Sequence, residues 1–181
     1  MRRHSRPKPD IGIDYGEGLE RALCGQLEGY VQSSMLTFRP STDQDLPRVM
    51  EIWRRAVDAT HHFLAPVDKS AIEAELMEFF PQVSLQLAVD ASGAPQGFMF
   101  LHDGHLEALF IDPDQHGKGI GKAFISRAIA AHPELTTDVN EQNPEALAFY
   151  EHVGFVRGGT SSHDGQGRPY PLTHLRHQSR M

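Results

Sequence analysis

Apolar and polar residues change their spacing several times along the chain, and each change marks an element. Leu46, Val49, Met50, Trp53 and Val57 recur at the spacing of one helix face, behind Thr42 or Asp43 as the cap. LTFRP, just before them, reads as a first strand. A second helix is predicted over residues 69–80, with Ile72, Leu76, Phe79 and Phe80 on one side and Pro81 to stop it. SLQLAVD, QGFMFLH and HLEALFI follow, separated by the turns SGAP and DG, which is the pattern of an antiparallel meander. Ile120, Phe124, Ala128 and Ile129 give a third helix, ELTTDVN a strand, and NPEALAFYEHV a fourth helix. GFVRGGT and YPLTHLRH close the chain as strands around the loop HDGQGRP. The fold class is therefore α+β, a mixed and mostly antiparallel central sheet of six to seven strands flanked by about four helices.

Residues 1–34 break this pattern with scattered glycine and proline, one short helical stretch at most, and no strand. They are expected to form a poorly ordered or partly helical arm before a domain over residues 35–181. Met35 is itself a candidate initiator, so whether residues 1–34 belong to the native protein is open at this point.

Composition narrows the class without naming the chemistry. A chain of 181 residues suits one domain with a full core and is short for two. The net charge of −7 gives nucleic acid no electrostatic attraction from the chain as a whole, so no nucleic-acid partner is expected. Cys24 is the single cysteine; it has no partner for an internal disulfide or a cysteine-pair zinc site, which fits a reducing compartment. No apolar run approaches the ~18 residues needed to cross a bilayer. The basic start MRRHSRPKPD is followed by IGIDYGEGLERALCG, whose charges and glycines break any signal-peptide core. A cytoplasmic location without a membrane partner is the expectation.

Candidate chemistry concentrates in DQHGKGIGKAF, residues 114–124, where Gly117, Gly119 and Gly121 alternate beside Lys118 and Lys122. The stretch joins a predicted strand to a predicted helix. Glycines there let the backbone close on a ligand, and the amides of a helix N-terminus favour an anion, commonly a phosphate. The P-loop pattern fails at both ends, because His116 stands where its first glycine belongs and Ala123 follows Lys122. The Rossmann pattern fails because the glycines are spaced two and two. Nucleoside triphosphate and dinucleotide readings therefore drop out.

His116-Gly117-Lys118-Gly119-Ile120-Gly121, after the strand end FIDPD, resembles the acetyl-CoA loop of the GNAT superfamily of N-acetyltransferases, whose pattern is Gln/Arg-x-x-Gly-x-Gly/Ala. His116 stands where that pattern has Gln or Arg, which leaves the loop's work mainly to backbone N–H groups. Asn143, Ala146, Phe149, Tyr150, Gly154 and Phe155 match a second superfamily pattern, N-x-x-A-x-x-F-Y-x-x-x-G-F, in the family's order. The likeness covers residues 36–177. Over DATHHFL, EALFIDPD, ELTTDVNEQN, VGF and PYPL it resembles a bacterial subgroup, the YjaB-like acetyltransferases, described as protein-lysine acetyltransferases.

The resemblance implies transfer of an acetyl group from acetyl-CoA to a primary amine by direct attack, with protein lysine or a small-molecule amine as acceptor. A non-catalytic acyl-CoA-binding or regulatory module on the same fold is the alternative from another class. No cysteine lies near the motifs, which disfavours a covalent intermediate. Family position makes Tyr150 the acid for the departing thiolate, since a phenol is neutral at pH 7 and can donate a proton. The same residue also fits the apolar side of its helix with Leu147 and Val153. Glu107 is the candidate base. Strand alternation places it on one face with His105, Leu109 and Ile111, where a solvent-facing charge is the competing reading.

For acetyl-CoA, the implied contacts are Phe110, Ile111, His116, Gly117, Lys118, Gly119, Ile120, Gly121, Lys122 and Asn143. Asn143, followed by Pro144, reads equally as a helix N-cap, and Asn140 is a second cofactor candidate. His61 and His62 are candidates for the acceptor side, with only one of an adjacent pair facing the site. Their competing role is a favourable interaction with a helix C-terminus. The loop ending in Arg168-Pro169-Tyr170 is expected either to complete the acceptor wall or to serve as a plain hairpin connection. His102 and His105 lack a third ligand at suitable spacing, so no metal is expected. Homodimers are common in the superfamily, which leaves a homodimer open.

Overall fold

Strand β1 (Thr37–Pro40) leads through a short 3-10 turn into helix α1 (Leu46–Thr60), and helix α2 (Pro66–Phe79) follows. The meander is β2 (Gln86–Val89), β3 (Pro95–His102) and β4 (His105–Ile111). Helix α3 (Ile120–Ala131), β5 (Thr136–Asn140), α4 (Pro144–His152), β6 (Phe155–Ser161) and β7 (Leu172–His177) complete the order. This computed structural model describes residues 36–178, so the arm expected over 1–34 lies outside the described residues.

The seven strands form one sheet in the order β1-β2-β3-β4-β5-β7-β6. Neighbours are antiparallel except β4 and β5. That parallel pair is joined by α3, as a crossover connection requires. Its pairing is confined to His105 with Thr136 and Leu106 with Thr137. Beyond Leu106 the two strands part, and this gap in the middle of the sheet is what positions the site.

A core lies on each side of the sheet. Leu109, Ile111, Phe124, Val139, Tyr150 and Leu175 pack under α3 and α4. Val49, Trp53, Leu76, Phe98, Ala108 and Phe110 pack under α1 and α2. These side chains are the ones whose periodicity predicts the elements, and burying apolar area at ~25 cal/mol per Å² is the main force that holds the layers together.

Three local differences from the sequence expectation have physical causes. The cap at Thr42 opens the 3-10 turn rather than α1 itself, because the Asp45 carboxylate accepts both the Thr42 N–H at 2.8 Å and its hydroxyl at 2.9 Å. Helix α2 starts earlier than residue 69, at Pro66, whose fixed φ and missing N–H suit a first helical position. The third difference concerns His105. A bulge shifts the β3–β4 register so that Phe100 pairs with Ala108 and Leu101 with Leu106. Leu106 thereby joins Leu109 and Ile111 in the α3-side core, while Ala108 and Phe110 sit in the other. Alternation from Leu106 carries His105 to the α1–α2 face, opposite Leu109 and Ile111, while Glu107 is the extra residue of the bulge.

Candidate active site

The glycine loop starts from a fixed point. Asp112 is 1% exposed, and its carboxylate accepts bonds from Arg48 Nη2 at 2.5 Å and Arg55 Nη1 at 2.7 Å, both from α1. Its Oδ1 also accepts the Asp114 N–H at 3.0 Å, which closes the turn before the glycines. A carboxylate this deeply buried is tolerated because two guanidinium groups compensate it. The same contacts tie the loop to α1.

Gly117 and Gly119 have φ of +74° and +76°. A side chain in that region costs about 1–2 kcal/mol, so glycine is needed there for backbone reasons alone. A Cβ built on either would meet nothing within 4 Å, so the loop's outer side is open. Gly119 is the N-cap of α3, and no side chain caps that helix. Its first amides thus face outward beside exposed Lys118 and Lys122, a ready anion cradle. His116 folds back, with Nε2 3.2 Å from the Ile111 carbonyl oxygen. Since a carbonyl can only accept, His116 donates and closes the loop onto its own strand. Phe110, Ile111 and Ile120 are buried, so what they can present to a ligand is backbone.

On the same side of the sheet, Asn143 Oδ1 accepts the Ala146 N–H at 3.1 Å, so the cap role is realised. Tyr150 is fully buried, its ring set edge-on to Phe149 at 5.4 Å and Phe155 at 5.1 Å. Its core packing on α4 is therefore realised as well. Glu107 is half-buried and stands immediately past the last β4–β5 pair, at the apex of the parting.

Across the sheet lies a cavity lined by Trp53, Val57, His61, Phe63, Leu64, Ile72, Tyr170 and Leu172, together with the polar Asn140 and Asp164. His61 is 7% exposed, whereas His62 is exposed and does not line the cavity. Burial holds the His61 imidazole down to a pKa of about 4, with a smaller contribution from neighbouring His62. His61 Nδ1 lies 2.8 Å from Thr60 Oγ1, and its ring is 6.4 Å from that of Phe110 on β4. The β6–β7 loop closes the far wall. Tyr170 donates to Asp68 at 2.5 Å and accepts the Ala65 N–H at 3.1 Å, while Arg168 reaches Glu75 at 2.7 Å. Burial, and then the bond to Asp68, raises the Tyr170 pKa.

The predicted residues thus divide between two places, the glycine loop with Asn143 and Tyr150 under α3–α4, and His61 on the α1–α2 side, with Glu107 at the apex between them. Sequence reasoning missed Trp53 and Asp164, and it gave no role to Asp112. Trp53 reads as ordinary helix core, and Asp164 as one polar residue of a turn. Asp112 sits inside the quoted strand end, but nothing in sequence announces its partners 57 and 64 positions away. Among the described residues, no cluster of metal-ligating side chains occurs.

A family model described as an acetyltransferase (GNAT) domain matches residues 52–167. The peptidyl-lysine N-acetyltransferase YjaB of Salmonella typhimurium is 44% identical over 141 residues, spanning 78% of this chain and 97% of that protein. YjaB of Escherichia coli is 43% identical, spanning 78% of this chain and 96% of that one. The solution structure of apo-form YjaB from Escherichia coli matches with a TM-score of 0.77 at 41% identity, covering 81% of this chain and 99% of that chain.

Proposed function

Starting from the fact that this chain belongs to the GNAT acetyltransferase family and is an N-acetyltransferase, we propose that it acetylates the Nε of lysine side chains in proteins. The observation that carries this reading is the largely apolar cavity, whose lining reaches Asn140 at the end of β5, the strand that parts from β4 beyond Leu106. An unbranched alkyl stem suits walls of Trp53, Phe63, Leu64 and Ile72. The relatives at 44% and 43% identity carry peptidyl-lysine in their names, which supports the same acceptor.

GNAT acetyltransferases use acetyl-CoA, and the loop fits its pyrophosphate. The uncapped amides at the start of α3, two lysines and two left-handed glycines with open space above them suit a doubly charged group that must come close to backbone. Bound there, acetyl-CoA supplies a thioester carbonyl for attack. Along the parted edge of β4, the backbone of Phe110 and Ile111 and the amide of Asn143 line the path toward Tyr150.

The amine nitrogen forms the new N–C bond as the C–S bond breaks. Tyr150 gives the departing sulfur a proton, and the ammonium's proton leaves by way of Glu107, directly or through water. A free lysine has a pKa near ~10.4, so removing that proton is a real part of the barrier at neutral pH. No cysteine intervenes. The setting is the cytoplasm, consistent with one cysteine and a net charge of −7.

The test is thiol release from acetyl-CoA with three acceptors, a lysine-containing peptide, the same peptide with its Nε blocked, and spermidine. The lysine peptide should be turned over and the blocked peptide should not. Turnover of spermidine with the lysine peptide left untouched would move the acceptor to small-molecule amines.

A further inference from the structure

We propose that the His61 imidazole receives the acceptor amine, with its Nε2 lone pair taking one N–H of the incoming nitrogen and holding it at the β4–β5 parting. This rests on the acetyltransferase reading and deepens it by naming the group that meets the amine.

The hydrogen bonds around His61 favour one tautomer. The Thr60 hydroxyl has one proton, and it is donated to the Ala56 carbonyl at 3.0 Å. With the hydroxyl proton on that carbonyl, the 2.8 Å contact between Thr60 Oγ1 and His61 Nδ1 runs from the imidazole N–H to the hydroxyl oxygen. Nδ1 carries the proton, and Nε2 is left as an acceptor. That atom is buried and has no hydrogen-bond partner among the described residues. A buried acceptor left unsatisfied is destabilising, and a bound group that completes it is a sufficient reason for it to persist.

Position and charge agree with this role. The cavity that His61 lines reaches Asn140 at the end of β5, and the His61 ring lies beside Phe110 on the facing strand β4. A nitrogen held by Nε2 thus lies between the slot for its alkyl stem and the gap where the thioester is presented. Burial keeps the imidazole neutral at physiological pH. So weak a base does not retain an amine's proton; it accepts a hydrogen bond and no more. Aromatic and aliphatic side chains make up most of the lining and disfavour an ammonium ion by desolvation, and the Asp164 carboxylate in that lining already accepts the Gln166 and Arg168 N–H groups. Together, a neutral acceptor and a dry slot select the neutral amine, which keeps its lone pair for the carbonyl carbon. The acceptor class is an unbranched primary amine. No proton is gained or lost by His61 in the cycle; removing the ammonium's proton stays with Glu107 or water.

Two variants and one spectrum test this. His61→Phe keeps the ring's bulk and removes the acceptor, and His61→Gln restores an acceptor oxygen. His61→Phe should lower kcat/KM for a lysine peptide at least tenfold while KM for acetyl-CoA stays within twofold, and His61→Gln should recover part of the loss. Wild-type kcat/KM in His61→Phe, or a parallel loss of acetyl-CoA binding, would overturn the proposal. In the wild-type protein, a long-range proton–nitrogen NMR spectrum should show His61 protonated on Nδ1. Propylamine added without acetyl-CoA should then shift Nε2 of His61 and leave His62 unmoved. An Nε2-protonated ring, or no shift, would contradict it whatever the variants do. A propylamine shift without acetylation of lysine peptides would sink the lysine reading and leave His61 standing. Lysine acetylation unchanged in His61→Phe would do the reverse.

Discussion

The glycine loop follows the end of β4 and the cavity reaches Asn140 at the end of β5, but the two are built differently. The loop is one contiguous run of backbone, shaped by two glycines at positive φ and tied down at Asp112 by charged bonds from α1. The cavity is made of side chains from α1, the segment after it, α2, the end of β5 and the β6–β7 loop. Its closing bond, from the Ala65 N–H to Tyr170, joins residues 105 positions apart. A backbone-made half serves a ligand that does not change; a half made of dispersed side chains can be altered one residue at a time to suit an acceptor.

Variants should separate the halves, and the largest expected effect is in acid. A histidine in the unfolded chain protonates below about 6.5, whereas buried His61 stays neutral down to about 4. The unfolded state therefore binds the proton first, and stability falls as pH drops through that window, by up to about 3 kcal/mol. Thermal melts against pH should show the loss in wild type and much less of it in His61→Gln.

Next in size is Tyr150→Phe. It should lower kcat by about a hundredfold, the range for a lost general acid. Calorimetry should find acetyl-CoA binding unchanged, and a variant that kept full kcat would remove Tyr150 from the chemistry. Gly119→Val should act on the loop alone, raising KM for acetyl-CoA about tenfold or more through backbone strain of about 1–2 kcal/mol and crowding of the cradle. KM for the lysine peptide should stay put. Tyr170→Phe is the mirror of that experiment. Losing the bonds to Asp68 and Ala65 should raise the peptide KM about threefold and leave acetyl-CoA unaffected. If Gly119→Val and Tyr170→Phe each shifted both constants, the two halves would not be independent.

Legibility in the sequence follows the same division. The meander, the helices and the loop could be read because each depends on neighbours in the chain, by alternation, helical spacing or glycine at a strand–helix junction. Asn143 was readable as a cap for the same reason, since Asn-Pro-Glu is a local signal. His105 falls on the face opposite Leu109 and Ile111 because a bulge is a property of two paired strands, and nothing in HLEALFI marks it. Of the adjacent histidines, one was expected to face the site, but which one depends on how the chain leaves α1. Asp164 and Trp53 acquire their place only when the β6–β7 loop folds back onto α2, a long-range event without a local trace.

The most direct test of the account is a crystal structure with a bisubstrate conjugate, CoA joined through an acetyl bridge to the Nε of a lysine peptide. The pyrophosphate should rest on the amides of residues 117–121, and the lysine stem should lie between Trp53, Phe63 and Leu64. Its nitrogen should fall within hydrogen-bond distance of His61 Nε2. A conjugate whose lysine ran over the open sheet face instead, with the cavity left out of contact, would contradict the account.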